Sequence, residues 1–199
     1  PHHIEYHLAP QSPWTYLGHE RFVRMAKAAG ATVRVMPTDL GKVFPISGGL
    51  PLGKRAPQRQ AYRLVELKRF SDFLGIPMHV QPKFFPVSGD DAARLIIAPA
   101  MALGSDAALK LTGAILTACW AQERNIADGA TLAALLEECQ LPAFEVAQVP
   151  GAAVQARYDA NTQASIDRGV FGAPSYVIDD EIFWGQDRLD FVQRKLQAA

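Results

Sequence analysis

The sequence predicts an α/β fold in which a small mixed sheet is split between the two ends of the chain by a large all-helical insertion. Three observations predict it. Residues 1–53 open with strand, helix and strand patterns, residues 169–199 close with strand, turn, strand and helix patterns, and residues 54–168 between them are mostly helical in pattern. Ile4, Tyr6 and Leu8 alternate with other residues, the period of a strand. Trp14, Leu17, Arg21, Phe22, Met25 and Ala29 then follow a helical period that Gly30 stops, and Val33-Arg34-Val35-Met36 alternates again. In the middle, Tyr62, Val65, Leu67, Phe70 and Leu74 give a helix a broad apolar surface, ended by Gly75-Ile76-Pro77. An alanine-rich helix runs from Asp90-Asp91 to Gly104, with Pro99 expected to bend it. Further helices are expected over 106–124, 131–139 and 151–169. At the end come strands over 175–178 and 181–184, a turn at Asp179-Asp180, and a helix over 188–196. The Gly- and Pro-rich segments 44–53 and 81–89 read as loops that rim a pocket.

Composition narrows the function. Lysine plus arginine equals aspartate plus glutamate at 20 each, so no net charge draws the chain to nucleic acid or to an acidic membrane surface. No apolar run approaches the ~20 residues needed to cross a bilayer. The start, Pro1-His2-His3-Ile4, lacks the apolar run of a signal peptide. Cys119 and Cys139 form neither a C-x-x-C pair nor a ligand set, and they read as buried thiols of a reducing compartment. A cytoplasmic protein is the expectation. His2, His3, His7, His19 and His79 are scattered without metal spacing, so no metal is expected.

The chemistry concentrates in Ser12-Pro13-Trp14-Thr15, where the first strand passes into the first helix. A thioredoxin-type protein carries Cys-Pro-x-Cys there, and both cysteine positions are hydroxyls in this chain, Ser12 and Thr15. The free N–H groups and partial positive charge of a helix N-terminus stabilise a thiolate or another anion. With no cysteine in the motif, that thiolate has to come from a ligand, which points to a glutathione-using enzyme rather than to disulfide exchange. Far downstream, Ala173-Pro174 either starts an edge strand in trans or stands cis opposite the helix start. In the cis case the backbone N–H and C=O of Ala173 are free to pair with an extended peptide-like ligand. Its pairing with Ser12-Pro13 favours that second reading.

These blocks resemble a known family. Ser-Pro-Trp-Thr-Tyr-Leu-Gly at 12–18, Asp39-Leu40, Tyr62-Arg63-Leu64, Gly-Val-Phe-Gly-Ala-Pro-Ser-Tyr at 169–176 and Phe-Trp-Gly-Gln-Asp-Arg-Leu at 183–189 look like 2-hydroxychromene-2-carboxylate isomerases. Their relatives are the kappa-class glutathione transferases. The resemblance covers essentially the whole chain. It implies a thioredoxin-like fold with a helical insertion, of the DsbA and kappa type, and glutathione as cofactor. It also implies a small aromatic carboxylate as substrate and a homodimer. On this resemblance Ser12 activates the glutathione sulfur and Ala173 holds the cysteinyl backbone. Trp184, Gly185, Gln186 and Asp187 hold the γ-glutamyl end, and Lys54 and Arg55 meet the substrate carboxylate. Other readings stand beside these: Ser12 and Asp187 as helix caps, Trp184 as core packing, Lys54 and Arg55 as a solvated loop. The chain departs from the pattern at Gly48-Gly49, where many members carry Gly-Asn, and at Ala173, where valine is more usual. The activity implied is a glutathione-dependent isomerisation in aromatic catabolism. Its alternatives are a kappa-like transferase or peroxidase and a thioredoxin-like binding module without chemistry.

Overall fold

The computed structural model describes residues 1–198. Strand β1 (His3–Leu8), helix α1 (Pro13–Ala28) and strand β2 (Thr32–Pro37) form the first half of the sheet. β1 and β2 pair in parallel, so the chain needs a crossover between them, which α1 supplies. The second half is β3 (Ser175–Ile178) and β4 (Glu181–Trp184), an antiparallel hairpin closed by Asp179 and Asp180. Both aspartates have positive φ, 51° and 63°, as a two-residue hairpin turn demands. β3 pairs antiparallel with β1, giving the strand order β2-β1-β3-β4.

The expected alternation of β1 is only half of what the fold does with it. Ile4, Tyr6 and Leu8 are buried, but so are Glu5 and His7 on the other face. That face is covered by α8 (Gly151–Arg168), whose Arg168 pairs with Glu5 at 2.8 Å and whose Ser165 bonds His7 at 2.6 Å. On the opposite face Tyr6 stacks on Tyr176 and packs against Phe22 of α1.

Between the two halves run α2 (Leu40–Ser47), α3 (Pro57–Leu74), α4 (Asp90–Leu103), α5 (Ser105–Trp120), α6 (Gly129–Glu138) and α7 (Ala143–Ala147), followed by α8. The last helix, α9 (Leu189–Gln197), packs on α1 and β4. Helices and sheet share one continuous apolar cluster in which Trp120, Ile96 and Leu111 join Tyr6 and Leu17. α1 approaches the chain near β4 so closely that a Cβ at Gly18 would stand 2.7 Å from the Gln186 Cβ.

Three expectations need correction. Residues 44–47 are not loop but the end of α2, which Asp39 starts by accepting from the Gly41 N–H at 3.0 Å, despite Pro45 inside it. The apolar surface read on α3 is split: Tyr62 and Val65 are exposed, whereas Leu67 is fully buried and Phe70 and Leu74 pack partly buried against the core. The reason is position, since α3 lies at the margin and meets α1 through contacts such as Phe70 against Trp14. The short helix α7 was not expected, its five residues being too few to show a period.

Candidate active site

The turn after β1 folds Ser12 into the N-cap of α1. Its extended backbone (φ −78°, ψ 123°) and Pro13 at the first helical position both favour a helix start there. The Ser12 Oγ accepts from the Thr15 N–H at 3.1 Å, and its own hydroxyl hydrogen reaches only the Ala173 carbonyl, at 3.5 Å. That is the outer limit of a hydrogen bond, so the proton is available to a better acceptor. Thr15 is fully buried and its Oγ1 has no partner among the described residues, which seals the second hydroxyl position inside the helix packing.

Ala173 faces Ser12 because β3 pairs with β1, and the Ala173–Pro174 bond is cis. The Pro174 carbonyl is taken by the Gly185 N–H at 2.8 Å, and the Ser175 hydroxyl donates to the Gly172 carbonyl at 2.7 Å. The Ala173 N–H makes no backbone hydrogen bond among the described loops and turns. A peptide-like ligand would therefore find it free.

Trp184, at the end of β4, is 52% exposed with its ring 4.9 Å from that of Phe171. It is therefore a surface ring and not a core side chain. Gly185 follows with φ 97°, and a Cβ there would stand 2.5 Å from the Asp187 Oδ1. This turn aims the Asp187 carboxylate back over the backbone, where its ionic partner is the exposed Arg188 at 3.2 Å. Gln186 is different. It is 2% exposed, its Oε1 accepts from Arg21 of α1, and its Nε2 has no partner among the described residues. The glutamine side chain expected to hold cofactor thus packs inward, under α1.

Lys54 ends a short 3-10 turn and is exposed, while Arg55 is half-buried and donates from Nε to the Leu50 carbonyl at 2.9 Å. Two further polar side chains were not among the expected site residues. Arg63 of α3 lies over the Phe85 ring, 5.4 Å from its centroid, and Gln11 buries an Oε1 without a partner beside Gly89. A signal for the first existed, because Arg63 is spaced four, seven and eleven residues from Leu67, Phe70 and Leu74 on the inner stripe of α3.

Other constellations resolve as structure. Glu5, His7 and Ser165 are bonded in series like a hydrolase triad, but Ser165 is completely buried and bonded also to Thr38 at 2.9 Å. His19 accepts at Nδ1 from the Tyr6 hydroxyl and meets the Leu109 carbonyl at Nε2, so neither inner histidine reaches Ser12. Cys119 and Cys139 are free and buried, and burial pushes the Cys119 thiol up to about 12. A groove of about 1260 Å³ lies elsewhere, lined by residues such as Glu20, Val23, Lys27, Asp106 and Lys110 and by neither Ser12 nor Ala173. No group of three or more His, Cys, Asp or Glu side chains is placed to hold a metal among the described residues. No helix there is long and apolar enough to cross a membrane.

A sheet of this order, with a helix capped at its start opposite a cis proline and a helical layer inserted, defines the thioredoxin class of folds. The DSBA-like thioredoxin domain model matches residues 8–197, and the chain belongs to this family together with the 2-hydroxychromene-2-carboxylate isomerases. The isomerase of Pseudomonas putida is 30% identical over 190 residues, 94% of this chain and 90% of that protein. The isomerase of Sphingobium xenophagum is 29% identical over 97% of both chains. Among solved structures, a 2-hydroxychromene-2-carboxylate isomerase superposes with a TM-score of 0.78 at 24% identity, covering 98% of this chain and 94% of that one, which is a likeness of fold.

Proposed function

We propose that the protein is a glutathione-dependent isomerase that converts 2-hydroxychromene-2-carboxylate-type substrates into trans-o-hydroxybenzylidenepyruvate-type products. The observation that carries this reading is the Ser12 hydroxyl, capping α1 with its proton uncommitted 3.5 Å from the Ala173 carbonyl. The residues present fit glutathione. Ser12 can donate to a sulfur anion, and the N-terminus of α1 favours the same charge. Ala173 offers a free N–H to the cysteinyl backbone, and Asp187 offers a carboxylate to an ammonium group. Trp184 and Phe171 provide an apolar wall beside them. Lys54 and Arg55 supply the positive charge that a substrate carboxylate requires. When bound, glutathione supplies a nucleophilic thiolate that leaves unchanged at the end of the cycle. The protein's part is to hold that sulfur ionised, to fix the substrate against it and to keep water away.

Two measurements test this. Titration calorimetry with reduced glutathione should detect specific binding that Asp187→Ala weakens. Incubation with 2-hydroxychromene-2-carboxylate should give product only when glutathione is added, with the glutathione recovered. Glutathione consumed in proportion to product would indicate a transferase instead. No binding to the wild type would refute the cofactor site altogether.

A further inference from the structure

Arg63 is a cation at an inward position. It heads the α3 stripe that continues through Leu67, Phe70 and Leu74, and its guanidinium lies over the Phe85 ring at 5.4 Å. Among the described residues it has no ion pair and no hydrogen-bond acceptor. The acid nearest to it in sequence, Glu66, is engaged by Arg69 and by the Tyr62 hydroxyl. Arg55, whose carbonyl accepts from Gln60 of the first turn of α3 at 2.8 Å, adds a second positive charge near Arg63. Its guanidinium too lacks an acid, its one hydrogen bond going to the Leu50 carbonyl. Burial, and then the charge of Arg55, pushes the Arg63 guanidinium down to about 10, and burial lowers Arg55 as well.

A partly desolvated cation costs free energy unless an anion or hydrogen-bond acceptors compensate it. Two such cations acting on each other, with no acid supplied by the fold, are arranged for an anion from outside. The chemistry of the site narrows which anion. A guanidinium fork matches a carboxylate edge to edge, and an aromatic ring beside it favours a flat apolar group attached to that carboxylate. The location fits as well. The loop that carries Phe85 continues to Gly89, which lies against Gln11, the residue before Ser12.

We propose that Arg63, flanked by Phe85, joins Arg55 in binding the carboxylate of a planar unsaturated acid entering the Ser12 cleft. Taking that acid to be the isomerised substrate rests on the proposed function, whereas the site itself does not. Calorimetric titration with cinnamate and with cinnamamide isolates the carboxylate. Wild type should bind the acid about tenfold more tightly than the amide, a difference of about 1.4 kcal/mol. Arg63→Met should lose that preference without a fall in melting temperature, and Arg63→Lys should keep part of it. Equal binding of acid and amide by wild type, binding of neither, or a preference that survives in Arg63→Met overturns the site. Glutathione and γ-glutamylcysteine, which lacks the glycyl carboxylate, separate the two possible sources of the anion. A tenfold loss in Arg63→Met for glutathione alone would assign the pair to the tripeptide and overturn its assignment to the substrate. If wild type fails to bind glutathione at all, the proposed function falls while the cinnamate comparison still decides the site.

Discussion

Replacing Ser12 separates the capping job its hydroxyl performs from the donor job proposed for it. As the N-cap of α1 it accepts the Thr15 N–H at 3.1 Å, and losing such a cap costs about 1 kcal/mol. For a chain of this length, that lowers the melting temperature by about 2–4 °C. In its proposed second job, as a donor to a bound thiolate, it would contribute about 1.5–3 kcal/mol, the range for hydrogen bonds to charged groups. At 1.36 kcal/mol per unit, losing that bond raises the pKa of the bound thiol by about 1–2 units. Ser12→Ala should show both effects. Ser12→Asp should show only one, because its carboxylate still caps the helix while its charge repels a thiolate. The assay is the ultraviolet absorbance of the thiolate of protein-bound glutathione, followed against pH, beside a thermal melt of each variant. A bound-thiol pKa that is the same in wild type and Ser12→Ala would refute the donor role, and an unchanged melting temperature would refute the cap.

Two further perturbations probe the scaffold. Burial pushes His19 down to about 4 from 6.5, so the unfolded chain binds a proton that the folded one refuses between those values. Stability is therefore complete above pH 6.5 and falls as the pH drops, by about 2 kcal/mol between pH 7 and pH 5 from this residue. His19→Gln, which keeps a donor and an acceptor, should remove that part of the slope in urea titrations, and an unaltered slope would count against the burial argument. His7, also lowered by burial, adds a loss of the same sign in both proteins. Gly18→Ala would place a methyl group 2.7 Å from the Gln186 Cβ and 3.0 Å from the Tyr176 hydroxyl, and should cost about 1–3 kcal/mol. A urea midpoint equal to that of wild type would show that α1 can move away freely.

The first half of the sheet was legible because alternation in Ile4, Tyr6 and Leu8 gives way to helical spacing from Trp14 onward, and the second because Asp179-Asp180 marks a turn between two short strand patterns. The link between Ser12 and Ala173 was legible for another reason. It came from the layout expected of a strand followed by a capped helix, not from any local pattern across the intervening residues. What stayed hidden depends on which way a side chain turns. Gln186 looks like its neighbour Asp187 in the sequence, but the turn at Gly185 sends the glutamine under α1 to Arg21 and leaves the aspartate outside. On α3, hydrophobicity pointed to Tyr62 and Val65, whereas the inner stripe is set by Arg63, Leu67, Phe70 and Leu74, and an arginine is not counted when apolar residues are sought. α2 was hidden by Pro45 and Gly48-Gly49, which read as loop, although Asp39 supplies a sound helix start.

The pairing of β1 with β3 carries one more consequence. Tyr6 stands opposite Tyr176 and His7 opposite Ser175, and that alignment alone carries Ala173 to Ser12. A shift of the two strands by two residues would keep every side chain on its proper face, yet it would displace one strand by about 7 Å along the other. The nearly parallel tyrosine rings, 5.5 Å apart and 6° from coplanar, would then lose each other. Misalignment of this sheet would thus cost the molecule its aromatic stack and its cleft together, so a chain that retains the cleft has also proofread its own strand alignment.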